Sequence, residues 1–186
     1  MLEVKELGLP GVLEIKPKKF GDHRGFFSET YNASKLLEHK IDLTFVQDNQ
    51  SYSASRGTVR GLHFQIPPHG QDKLVRVIKG SIFDVAVDIR KGSPTFGQWV
   101  GLTLSADEWN QILVPKGYAH GFMTLEDHTE VIYKVTDYYA ADCDRSIRYN
   151  DPAIGISWPE LGGGYELSEK DQRAPLLNET DTGFSF

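Results

Sequence analysis

The stretch TVRGLHFQIPPHGQDKLVRVIKG, Thr58 to Gly80, carries an imidazole at His63, an amide at Gln65 and an ammonium at Lys73; a further imidazole follows at His120. A divalent metal is held by imidazoles and carboxylates. An imidazole two residues after His63 and a carboxylate further on would begin such a site, but Gln65 and Lys73 stand there instead. Glutamine is a poor substitute for imidazole. An ammonium has no lone pair and is repelled by a dication. Two histidines are too few for a tight metal site. The set suits proton chemistry better. Imidazole titrates near neutrality, which makes His63 a reasonable base. Lys73 supplies the positive charge that a metal would have brought.

Strands must position these groups, and period-2 alternation dominates the middle of the chain. In SIFDVAVDIR, Phe83, Val85, Val87 and Ile89 share one face. Ser81, Asp84, Asp88 and Arg90 belong to more polar surroundings, interrupted by Ile82 and Ala86. In EVIYKVTDYY, Val131, Tyr133, Val135 and Tyr139 fall on one face, with Lys134 and Thr136 on the other. That parity points Tyr133 toward the interior. QWVGLTL, NQILVP and HGFMTL read as further strands, with turn residues clustered at KGSPTFG and VPKGYAHG. Helix signals are few. NASKLLEHK predicts a short helix capped by Asn32, and SADEW sets Ser105 and Glu108 in a capping-box pattern. The chain is therefore mainly β, a sandwich or barrel with a few short helices.

A length of 186 residues predicts one domain, 1–186. Its central barrel is expected over about 20–150, with a more polar tail, about 155–186, wrapping the barrel. No apolar run is long enough for a membrane span, and the start MLEVKELGLPGVLEIKPKKF lacks an apolar signal core. The single cysteine, Cys143, cannot form an internal disulfide, so a cytoplasmic location is expected. Net charge is -6 without a dense basic run, which argues against nucleic acid. An anionic ligand needs a local cationic pocket here, because the global field opposes it.

Two segments resemble the cupin pattern of a small jelly-roll barrel. VPKGYAHG supplies Pro115, Gly117 and His120; the first half of the pattern matches only at His63 and Gly80. The whole chain further resembles the dTDP-4-dehydrorhamnose 3,5-epimerase family. FGDHRGFFSETYN, FVQDNQS, VRGLHFQ, DKLVRV, GSIFDVAVDIRKGSPTFGQW, VPKGYAHGF, EVIYKVTDYY, RYNDPAIGISWP and LSEKD follow in the family's order. The resemblance implies a cupin-type jelly roll, a dTDP-4-keto-6-deoxy sugar as substrate, epimerisation at C3 and C5, no cofactor or metal, and a homodimer.

The resemblance also implies roles. His63 is the base, Lys73 holds the enolate oxygen, Tyr133 is the acid, and Asp171 pairs with the base. Substrate contacts carry over to Arg24, Glu29, Gln47, Asp48, Asn49, Arg60, His120 and Lys170, with Tyr139 stacking on thymine. At Asp144 the family usually has Glu, and the shorter side chain puts that contact in question. Plainer readings stand beside these. Asp171 lies three residues after Ser168 and could simply complete a helix cap. Rival functions are a single-carbon epimerase or ketoisomerase, a metal-dependent cupin oxygenase, and a non-catalytic sugar-binding cupin.

Overall fold

Alternating side chains and glycine-rich turns produce thirteen strands among the described residues. In the computed structural model, which describes residues 2–186, they are β1 (Glu3–Glu6), β2 (Leu13–Lys16), β3 (Phe20–Asp22), β4 (Gly25–Phe27), β5 (Gln47–Ser53), β6 (Val59–Gln65) and β7 (Lys73–Lys79). Then come β8 (Ser81–Asp88), β9 (Trp99–Ser105), β10 (Gln111–Val114), β11 (Tyr118–Thr124), β12 (Thr129–Val135) and β13 (Asp144–Ser146). The two α-helices are short, α1 (Ala33–Glu38) and α2 (Glu169–Gln172). No helix among the described residues is long and apolar enough to cross a membrane.

Two antiparallel sheets face each other as a jelly roll. The six-stranded sheet runs β1-β2-β10-β7-β12-β5 and the five-stranded sheet β13-β6-β11-β8-β9. Strands β1 and β2, ahead of residue 20, extend the first sheet through β10. The space between the sheets is filled at one end by Val75, Val77, Ile82, Leu104, Ile112 and Val131. A separate hairpin, β3 with β4, stands off the barrel.

Strand β8 differs from its sequence reading. The face bearing Phe83, Val85 and Val87 points outward and packs against Ile147, Ile154, Trp158 and Leu177 from the C-terminal third. The face bearing Ile82, Asp84 and Ala86 points into the barrel, and Asp84 and Asp88 are both fully buried. Neither face of β8 meets solvent, which is why its apolar run is nearly continuous. Tyr139 lies beyond the end of β12, so strand parity does not orient it.

Helix α1 forms as expected, with the Asn32 side chain accepting from the Lys35 N–H. SADEW forms a turn instead of a helix. Ser105 Oγ does accept from the Glu108 N–H at 3.0 Å, but the Glu108 carboxylate turns away to Lys16 and the cap is only half made. The C-terminal stretch crosses the five-stranded sheet's side of the barrel. It is tied by Val59 N–H to Glu166 C=O at 2.8 Å, by Leu177 N–H to the Asp151 carboxylate at 2.7 Å, and by a bridge from Ser185 to Lys91.

Candidate active site

Strand β6 carries an irregularity that shapes the site. His63 lies opposite His120 on β11, but Arg60 lies opposite Phe122, so β6 spends three residues where β11 spends two. This bulge lets Arg60 and His63, three apart, line the same cavity. Gly61 sits within it at φ +122°, where a Cβ would come within 2.6 Å of the Gly121 Cα. Only glycine fits both that backbone and that closeness.

The cavity has a volume of about 770 Å³. The five-stranded sheet contributes Arg60, His63 and His120, and the six-stranded sheet contributes Lys73 and Tyr133. Residues Tyr165 to Gln172 of the C-terminal stretch close one side, and Asp171 comes with them.

Asp171 is buried, and its Oδ1 lies 2.6 Å from His63 Nε2. It also makes the cap: its N–H donates to Ser168 Oγ at 3.2 Å, and that hydroxyl donates back to Oδ2 at 2.9 Å. The capping and pairing readings therefore hold together. Burial alone would raise this carboxyl. The hydrogen bond and charge of His63, with bonds from Ser168 and the Gly61 N–H, outweigh it and leave the pKa below the ordinary value. A carboxylate ionised in this way fixes one ring nitrogen of His63 and leaves the other for the cavity.

Lys73 is buried, and its Nζ donates to the His63 carbonyl at 3.3 Å. Burial pulls the ammonium down to about 8; the charges of Asp144 and Asp84 work the other way. Burial likewise pushes the Tyr133 phenol up, with Arg60 opposing and Asp144 adding to the rise. It therefore keeps its proton at neutral pH. His120 Nε2 lies 2.9 Å from both oxygens of Asp84. Desolvation raises the Asp84 carboxyl against the pull of His120 and Lys73. Asp84 is a site residue that alternation alone placed only in more polar surroundings. Two acids four apart in an otherwise apolar strand were the available signal.

Arg60 donates to Ser53 Oγ at 3.2 Å and to the Tyr52 carbonyl at 3.0 Å. Among the described residues no carboxylate ion-pairs with it, so its charge is free for an anion. A second cluster adjoins the cavity. Gln47 bonds Asn49, Tyr139 OH comes within 3.5 Å of Asp144 Oδ2, and Asp144 pairs with Lys170. Asn49 is the cross-strand partner of Tyr133, which joins the two groups.

Of the expected substrate contacts, only Arg60 and His120 line the cavity itself, and three lie outside both it and the adjoining cluster. Asp48 alternates to the opposite face of β5 from Gln47 and Asn49 and pairs with Lys134 at 2.8 Å. Arg24 sits on the exposed β3–β4 hairpin, paired with Asp22 at 2.6 Å. Glu29 pairs with Lys35 beside α1. Nor, among the described residues, do three His, Cys, Asp or Glu side chains converge as a metal-ligand set.

The family model for dTDP-4-dehydrorhamnose 3,5-epimerase matches residues 6–179. A dTDP-4-dehydrorhamnose 3,5-epimerase from Salmonella typhimurium is 52% identical over 182 residues, 96% of this chain and 97% of the relative. A crystal structure of dTDP-6-deoxy-D-glucose-3,5-epimerase from Legionella pneumophila, in complex with dTDP-4-keto-L-rhamnose, superposes with TM-score 0.93 at 47% identity, covering 97% of this chain and 95% of that one. A dTDP-4-dehydrorhamnose 3,5-epimerase structure from Bacillus anthracis, with TDP and PPi bound, has TM-score 0.90 at 50% identity and covers 95% and 99%.

Proposed function

The chain belongs to the dTDP-4-dehydrorhamnose 3,5-epimerase family, and from that premise we propose that it inverts C3 and C5 of dTDP-4-dehydro-6-deoxy-D-glucose. The product is dTDP-4-dehydro-L-rhamnose, on the route to dTDP-L-rhamnose. The reading rests on one arrangement. An imidazole paired with a carboxylate and a protonated phenol stand on opposite sheets of one cavity, with a buried ammonium on β7, the strand next to the phenol's.

The C4 ketone acidifies the hydrogens at C3 and C5. His63 takes the proton from carbon, and its imidazolium is stabilised by Asp171. The electron pair moves to the C4 oxygen, where Lys73 meets the developing charge from a site already desolvated. At C5, Tyr133 returns a proton from the other sheet, hence to the other face of the ring, and recovers its own from solvent; at C3 the proton comes from water on the face opposite His63. His63 releases its proton to water. No bond to the enzyme forms, and no redox change occurs. Arg60 is suited to the diphosphate, since its planar fork pairs with phosphate oxygens. Tyr139, Asn49, Asp144 and Lys170 form the side toward the nucleoside, and His120, held by Asp84, faces the sugar.

A homodimer accounts for Arg24 and for Glu29, two residues beyond the hairpin that carries Arg24. Among the described residues that hairpin forms a sheet of its own two strands, and it exposes Phe20, Phe26 and Phe27, each at least half accessible. A second copy would cover these rings and bring Arg24 to its own cavity.

Incubating the protein with the keto sugar in deuterated water and following it by NMR tests the activity. The doubly inverted product, deuterated at C3 and C5, is expected. Exchange or inversion at one carbon only would contradict the double epimerisation.

A further inference from the structure

Gln65 stands where a metal-binding barrel would place an imidazole, and the structure gives it three backbone partners. It is 4% exposed. Its Nε2 donates to the His69 carbonyl at 2.7 Å and to the Tyr138 carbonyl at 3.1 Å. Its Oε1 accepts from the Ala140 N–H at 2.7 Å. Two carbonyls on one side and an N–H on the other define the amide's orientation. A neutral imidazole has only one donor, and a carboxylate has none. The position calls for an amide.

Two of these bonds, to Tyr138 and Ala140, concern one short segment. Asp137 to Ala140 leaves β12 of the six-stranded sheet and crosses toward β13 of the five-stranded sheet, passing the mouth of the barrel. Gln71 donates to the Asp137 carbonyl at 2.8 Å, and Gln47 Oε1 accepts from the Tyr139 N–H at 3.3 Å. Three glutamines, two on the stretch from the end of β6 to the start of β7 and one on β5, thus hold the backbone of four consecutive residues. Tyr139 itself is 62% exposed and has little side-chain packing to fix it. An aromatic ring that is to stack on a base needs its backbone held if its side chain is free.

We propose that Gln65, with Gln71, is a positioning residue that clamps the 137–140 crossing and so presents Tyr139 to the nucleoside end of the substrate. Gln47, expected from the sequence to contact substrate, serves the same clamp through the Tyr139 N–H. The proposal rests on the reading of Tyr139 as the base contact. It explains why a residue useless to a metal occupies this buried place: the amide joins the two sheets at the rim.

A double-mutant cycle read by calorimetric titration with dTDP tests it. Gln65→Leu should weaken dTDP roughly tenfold, and Tyr139→Ala should weaken it as well. Gln65→Leu added to Tyr139→Ala should cost almost nothing more, because the clamp acts through that ring. A merely structural role would give additive losses. Additive losses, or a Gln65→Leu protein of unchanged affinity beside a weakened Tyr139→Ala, would overturn the clamp alone. Unchanged affinity in Tyr139→Ala would overturn the base-contact reading, and the clamp with it. If Gln65→Leu does not fold, Gln71→Leu, at a half-buried position with one bond to lose, carries the same cycle with the same outcomes.

Discussion

His63 and Asp171 are 108 residues apart in the chain, and their side chains meet at 2.6 Å. One sits beside a bulge in β6 and the other in a one-turn helix whose cap is Ser168. The contact exists only because the C-terminal stretch closes over the cavity. In the proposed scheme it makes His63 a base of fixed orientation. Asp171→Asn keeps the shape and removes the charge. It should slow deuterium uptake at C3 and C5 by about 10²-fold or more, with dTDP affinity little changed. Wild-type uptake in this variant would remove Asp171 from the chemistry.

Lys73 predicts both a pH dependence and a stability effect. Its folded pKa, about 8, lies below the ordinary 10.5 because the ammonium is desolvated. The unfolded chain therefore holds this proton more tightly. Burial of the charged form costs stability below about pH 8, and that cost is relieved as pH rises from about 8 toward 10.5. Lys73→Met should melt at a higher temperature than wild type at pH 7, while losing exchange at both carbons. In the wild type, activity should fall as pH rises through about 8, when the enolate loses its cation. A melting temperature below that of wild type would contradict the buried-charge cost; an activity flat to pH 9.5 would contradict the role.

Tyr133→Phe deletes a hydroxyl whose proton burial holds in place. Deprotonation should continue, since His63 and Lys73 remain. The C5 enolate would then be reprotonated from the His63 side. NMR should find deuterium in the sugar without the doubly inverted product. Normal product at the wild-type rate would move the acid elsewhere.

Much of this was legible in the chain. The alternation of Val131, Tyr133 and Val135 sets Tyr133 among inward-facing residues, and the asparagine cap of α1 forms as read. Other features resist sequence reasoning for physical reasons. Alternation cannot say which face of β8 is inside when both are covered, so Asp84 and Asp88 read as belonging to more polar surroundings although both are fully buried. A run such as Gln47-Asp48-Asn49 looks like one binding motif, yet a pleated strand sends its middle member to the opposite face. The bulge that brings Arg60 beside His63 has only Gly61 as its mark. The partners His120 and Asp84 lie on different strands, and no local spacing links them.

The exposed hairpin carries the prediction for assembly. Wild type should sediment as a dimer, and Phe26→Ser with Phe27→Ser should shift it to monomer with weakened substrate binding, since Arg24 would leave the cavity. An unshifted variant would place the interface elsewhere, and a monomeric wild type would overturn the dimer.

The most direct test of the account is the exchange of substrate protons by His63→Asn in deuterated water. Asparagine keeps a polar group of similar size with no useful basicity. The account predicts that uptake at C3 and at C5 falls together, by at least about 10²–10⁴-fold, while dTDP still binds. Exchange of both protons at the wild-type rate would contradict it and put the base elsewhere, with His120 the next imidazole in the cavity.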